Sequence, residues 1–211
     1  SSSRLVRRAS RSSSWPTRTI RTGLSRAASK RGLGRSEPDA VRVGIDAALP
    51  IGLDVLEVVE ARTPDLVDRL HASVWEIALP GIDDQIAADA VAGFLAAESV
   101  QVERLTKNGM RSFDARGPVI ALRVTRPEEL TAGKDLSAPC AILHVVVRHT
   151  TPAVRPDDVL AGLRRVADLA PPTPAQVVRL AQGPLDERTG AVSDPLAPDR
   201  DAAAAADAAD P

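Results

Sequence analysis

Apolar positions recur along this chain at two spacings, and the switches between them mark its elements. After an opening segment without periodicity, Val41, Ile45 and Ala48/Leu49 repeat at helical spacing behind Pro38, and Pro50 ends the run. Residues 53–59 (LDVLEVV) are mostly apolar β-formers and predict a strand. Thr63-Pro64-Asp65 opens a short helical turn that reaches Leu70. Residues 73–79 alternate, with Trp75, Ile77 and Leu79 on one face and Glu76 on the other, which predicts a half-buried strand. Pro80-Gly81 turns the chain, Asp83 or Asp84 can cap the next helix, and Ile86, Ala90/Val91 and Phe94/Leu95 form its apolar stripe.

Residues 100–116 (VQVERLTKNGMRSFDAR) hold two alternating segments around Asn108-Gly109, a strong hairpin signal. A two-residue loop at Asn108-Gly109 sets Arg104 opposite Phe113 and Thr106 opposite Arg111. It also sets Glu103 opposite Asp114, which is unfavourable because both are acidic. A bulged three-residue loop pairs Arg104 with Asp114 and Leu105 with Phe113 instead, and is the favoured register.

Residues 118–125 predict another strand, and a polar loop at 126–137 follows. Residues 141–147 (AILHVVV) are apolar on both faces apart from His144, the pattern of a central, doubly covered strand. Pro156-Asp157-Asp158 starts a helix with Val159, Leu160, Leu163 and Val166 inward and Arg164-Arg165 outward, and Pro171-Pro172 ends it. Residues 174–182 fit either a strand or a helix. Helices set between hairpin-linked strands predict an α+β fold, an antiparallel or mixed sheet with helices packed on one face, with a ferredoxin-like split βαβ core as the first expectation.

Charge divides the chain. Residues 1–36 hold nine Arg and one Lys with no acid, while the remainder carries 17 cations against 28 carboxylates. The expected organisation is therefore a basic disordered extension at 1–36, a single domain at 37–183 and a disordered tail from 184 to 211. The extension reads as a non-functional appendage, a nucleic-acid arm or a targeting segment. The chain lacks an initiator Met, so a fragment or a wrong start is a further reading of it.

Composition narrows the chemistry. Only two Trp, two Phe and no Tyr are present, which argues against a platform that stacks successive bases. A single cysteine, Cys140, excludes an internal disulfide and a multi-cysteine metal site, and reads as an inert buried thiol. His144 reads as a satisfied core histidine, and His71 and His149 lack the spacing of a metal motif. No apolar run approaches membrane-span length, and a cytoplasmic protein is expected. Phosphate-loop, dinucleotide and hydrolase signatures are missing, so no catalytic residue is assigned. Glu103 and Asp114 are the one carboxylate pair considered. The cations around the hairpin read either as a solvated, aggregation-resistant edge or as an anion or RNA-backbone site. That site would comprise Arg104, Lys107, Asn108, Arg111 and Arg116, with Arg155 and Arg179 as weaker members.

Four blocks of the chain carry a family resemblance: ALPIGLDVLEVVEARTPDLVDRLHASVWEI, VERLTKNGMRSFDAR, CAILHVVVRHTTPAVRPDDVL and VVRLAQGPLD. Together they resemble the radical-SAM-associated domain of unknown function, which in bacteria is fused to or encoded with a cobalamin-binding radical SAM protein. The resemblance runs from Pro38 to Asp199. Members usually open with a further helix and a Phe-Asn-Pro-His-Pro-like motif that residues 1–36 do not show, so the chain is expected to be truncated at its N-terminus. The resemblance implies a non-catalytic accessory or substrate-binding domain that works with a radical SAM enzyme in RNA modification. It implies no directly bound cofactor: iron–sulfur cluster, S-adenosylmethionine and cobalamin come only through the partner. The alternative is a structural protein-interaction module, which the net acidity of residues 37–211 favours.

Overall fold

A computed structural model describes the backbone of residues 3–8 and 20–22, and residues 37–63, 65–107, 109–125 and 139–208. Its strands are β1 (Ser3–Arg8), β2 (Ile20–Thr22), β3 (Asp54–Glu60), β4 (Ala72–Pro80), β5 (Gln101–Thr106), β6 (Gly109–Asp114), β7 (Val119–Thr125), β8 (Cys140–Arg148) and β9 (Gln176–Gly183). Its α-helices are α1 (Pro38–Ala47), α2 (Asp84–Ala96), α3 (Pro156–Ala167) and α4 (Ala197–Asp207). Helices and antiparallel strands together make this an α+β protein.

The chain divides into two compact units, residues 1–70 with 194–211, and residues 71–193. The single domain expected over residues 37–183 takes in parts of both units. In the first unit, β1 pairs antiparallel with both β2 and β3. The rest of the expected disordered extension lies outside the described residues. Pro at the start of α1 fits because its missing N–H would have no helical partner there. Val41, Ile45 and Leu49 of this helix region pack on Val55 and Val58 of β3.

The tail is not structureless, as its composition had predicted. Leu185 bridges Val192 in the second unit, and α4 belongs to the first. Helix α4 is held by Asp199, which is fully buried and accepts from the Arg62 and Thr63 N–H groups, the Thr63 hydroxyl at 2.6 Å and the Arg69 guanidinium at 2.9 Å. Leu196 packs beside it on Val59. An Ala-rich composition hides this, because the anchoring is done by a few residues, Asp199, Leu196 and Arg200, whose guanidinium pairs with Glu57 at 2.7 Å.

The second unit has the sheet order β7-β8-β4-β9, with every neighbouring pair antiparallel. If the β5–β6 hairpin is set aside, the chain runs β4-α2-β7-β8-α3-β9. That is a β-α-β-β-α-β unit in which each helical connection skips one strand. The ferredoxin-like expectation is therefore met in this unit, with the hairpin inserted after α2. The ambiguous segment at 174–182 is strand β9, at the sheet edge.

One face of the sheet carries Ile77, Leu79, Leu143, Val145 and Val147, all essentially inaccessible, and packs with Phe94, Val159 and Leu163 of the helices. Gly162 lets α2 and α3 approach closely, since a Cβ there would lie 2.7 Å from the Phe94 ring. Asp83 caps α2 through the Gln85 N–H. Two details of the predicted stripes change. In α2, Ile86 is 57% exposed and Ala87 takes its place in the core, and in α3, Val166 points largely to solvent. Helix α3 ends one turn before the prolines, on Asp168 in the left-handed region with φ 52°. Cys140, expected to be buried, is half-buried at the start of β8.

The hairpin register differs from both expected ones. Thr106 pairs with Gly109, Leu105 with Met110, Arg104 with Arg111, Val102 with Phe113 and Gln101 with Asp114. Gly109 takes φ +101° as the first residue of β6, so it closes the ladder instead of forming the loop centre. What fixes this register lies at the far end. Val102 and Phe113 reach the core together, and the Asp114 carboxylate accepts N–H groups of Val100, Arg116 and Gly117 at 2.8–3.0 Å.

Candidate functional site

Alternation along β4 brings Ser73 and Trp75 to the helix-covered face of the sheet, and the antiparallel partner β8 sets Val147 opposite Ser73. His149 follows just beyond the end of β8, and its Nε2 lies 2.8 Å from the Ser73 hydroxyl. Ser73 is 2% exposed, so this hydrogen bond satisfies a group that burial would otherwise penalise.

On the other side, β9 pairs with β4 through an irregularity. Val74 faces Ala181, but Trp75 faces Arg179, so Leu180 is an extra residue. A bulge of this kind re-aims the neighbouring side chain. Here the Arg179 guanidinium lies over the Trp75 ring, 5.3 Å from its centroid, a cation–π arrangement.

The third wall is the segment entering α3. Pro156 takes the first helical position, and the buried carboxylate of Asp158 accepts the Arg155 N–H at 2.7 Å. This is one half of a capping box, because a guanidinium at Arg155 has no acceptor to complete it. Arg104 reaches across from β5 to the same carboxylate at 2.6 Å and to the Ala153 carbonyl, and it covers the Phe113 ring at 4.7 Å. Residues 153–157 are thus held from behind by a hairpin arginine.

These three walls line an open cavity of about 410 Å³. Arg155, Asp157, Arg179, Ser73 and His149 are its polar lining residues. Apolar side chains, Val147, Val154, Pro156 and Val177 among them, supply the remainder. Such an arrangement suits a small ligand with one anionic group and an apolar or planar body.

The predicted site residues therefore separate. Arg155 and Arg179, the weaker candidates, come together at the cavity. Arg104 is engaged with Asp158, and Arg116 donates to the Val119 and Leu95 carbonyls, which ties α2 to the start of β7. Lys107 and Arg111 are exposed on the hairpin, and none of these four lines the cavity. Asn108 and the loop at 126–137 lie outside the described residues. Glu103 faces Ser112 and not Asp114, so the carboxylate pair is not formed. Sequence reasoning missed Ser73, Trp75 and His149 as a group. Trp75 was legible as an inward residue, but only strand pairing reveals that His149 and Arg179 meet it.

Among the described residues no group of three or more His, Cys, Asp or Glu is placed to hold a metal ion, and no helix is long and apolar enough to cross a membrane. No curated protein and no solved structure matches the chain. A comparison with protein families matches residues 32–156, more than half of the chain, from before α1 to the first residue of α3. The chain therefore belongs to the family described as an uncharacterized protein conserved in bacteria (DUF2344).

Proposed function

We propose that this chain is a non-catalytic, substrate-binding accessory domain that works in the cytoplasm with a radical SAM enzyme in RNA modification. Iron–sulfur cluster, S-adenosylmethionine and cobalamin are then the partner's, and this chain contributes recognition. The observation that supports a binding role is the cavity beside Trp75, where Arg155 and Arg179 converge from different elements on a space of ligand size. The partnership with a radical SAM enzyme rests on the family resemblance of the sequence blocks.

A pull-down from bacterial lysate with the full chain as bait, with and without nuclease, tests this reading. Recovery of an iron–sulfur radical SAM protein in both conditions supports a direct partnership, and recovery only without nuclease supports an RNA-bridged one. Recovery in neither condition overturns the accessory role.

A second reading has its own observation. Leu105 and Met110 oppose each other on the hairpin and are 75% and 60% exposed, an apolar pair suited to docking on a protein. Under this reading, replacing both with Ser abolishes partner capture, and replacing Arg155 and Arg179 does not.

A further inference from the structure

We propose that the cavity beside Trp75 is a subsite for one nucleotide, a phosphate monoester on a planar base, and not a stretch of a track that follows a nucleic-acid strand. The inference rests on the binding role proposed above and names the ligand of that site.

The first argument is charge. Two arginines, Arg155 and Arg179, line the cavity together with one acidic residue, Asp157, a formal balance of +1 that suits a single phosphate. Beyond it the unit offers no surplus: residues 71–193 carry 13 Lys and Arg against 15 Asp and Glu. Proteins that follow a strand neutralise several phosphates along a basic groove, and this unit lacks the charge for that.

The second argument is shape. The guanidinium of Arg179 lies over the Trp75 ring, 5.3 Å from its centroid, a cation–π arrangement. A planar guanidinium backed by a ring offers donors in its plane and a flat outer surface for a base, whereas a lysine would offer neither. Val154, Pro156 and Val177 give the body of the ligand apolar contact. The Ser73–His149 pair, hydrogen-bonded at 2.8 Å, adds a polar patch to the same lining.

The test uses the full chain carrying Trp15→Phe, so that Trp75 is the only indole and reports on its own cavity. Adenosine and guanosine 5′-monophosphates, adenosine, ribose 5-phosphate, inorganic phosphate, benzoate, and a ten-residue oligoribonucleotide with or without a 5′-phosphate are titrated at several salt concentrations. We expect a mononucleotide to change Trp75 fluorescence and to bind at least tenfold tighter than adenosine or inorganic phosphate. Its affinity should fall only shallowly with salt, as expected of a ligand with one phosphate and no condensed counterions along a strand. Arg155→Ala and Arg179→Ala should each weaken binding at least tenfold. Arg179→Lys, which keeps the charge and is mild for folding, should weaken it less, and Arg123→Ala, on the exposed side of β7, should not weaken it.

A salt slope of several phosphates for the oligonucleotide, with no response to a mononucleotide, overturns the single-nucleotide subsite and leaves the RNA reading standing. Mononucleotide binding without oligonucleotide binding supports the subsite and overturns the RNA reading. Benzoate binding as tightly as a mononucleotide overturns the phosphate class, and no response to any probe overturns both proposals.

Discussion

Arg104 shows how the position of a side chain on a strand can mislead about its role. Its strand neighbour across the hairpin is another arginine, an opposition that would be unfavourable if both guanidiniums stood in solvent. Instead it turns to Asp158, whose side chain is 6% exposed, so it acts on the cavity as a positioning residue. Removing it leaves a buried carboxylate short of its cation. Arg104→Ala should cost about 2–4 kcal/mol in urea unfolding, whereas Arg104→Lys should recover part of that loss. Asp114 gives a second prediction, read through pH. Burial alone would raise its pKa, but the N–H groups of Val100, Arg116 and Gly117 and the Ser99 hydroxyl bring it below the ordinary aspartate value. A folded value below the unfolded one means that the stabilisation is complete above the unfolded pKa, about 3.9, and is lost as pH falls through the folded pKa. Asp114→Asn should therefore be less stable than the parent at pH 7, with the gap closing toward pH 2.5. Equal gaps at both pH values in urea titrations would contradict this account.

Helix α4 depends on a few polar contacts, among which Asp199 gathers the most. A run of alanines has good helical propensity but buries little, and isolated helices of its length are marginal in water. Asp199 supplies what propensity does not, by accepting from two backbone N–H groups, a hydroxyl and a guanidinium at once. Asp199→Ala should destabilise the first unit by about 3–5 kcal/mol, with loss of protection in hydrogen exchange over residues 197–207. Periodicity and turn residues made most elements legible: Pro38 opened α1, the alternation around Trp75 gave β4, and the apolar run around His144 gave the central β8. They could not give the hairpin register, because it is set by Asp114 and by the joint burial of Val102 and Phe113 and not by the turn. Nor could they give the cavity, since Trp75, His149 and Arg179 belong to segments far apart in sequence that only the pairing of β4 with β8 and β9 brings together. Asp199 was invisible for the same reason: its partners lie 130–137 residues earlier.

On the scale of the whole molecule, the second unit is a continuous stretch placed within a first unit built from both ends of the chain. It holds its own core, with Phe94, Ile77, Leu143 and Leu163 at its centre. A fragment of residues 71–193 should therefore fold by itself and give dispersed NMR signals and a cooperative urea transition. A fragment without both would show that its stability is borrowed.

The backbone of the second unit starts and finishes on adjacent strands, with Ala72 opposite Gly183 and the His71 N–H on the Gly183 carbonyl. Thr63 and Asp199 must close a gap of 136 residues to meet. Folding of the intervening unit first shortens that gap to a few tens of residues, which lowers the closure entropy by about 1.5 kcal/mol. The second unit can therefore mature before the two segments of the first unit meet, and the first unit can be completed only once residues from 194 onward have joined residues up to 70. A message cut short after residue 193 would thus yield a finished cavity beside an unfinished partner unit, recognisable by proteolysis that spares the one and consumes the other.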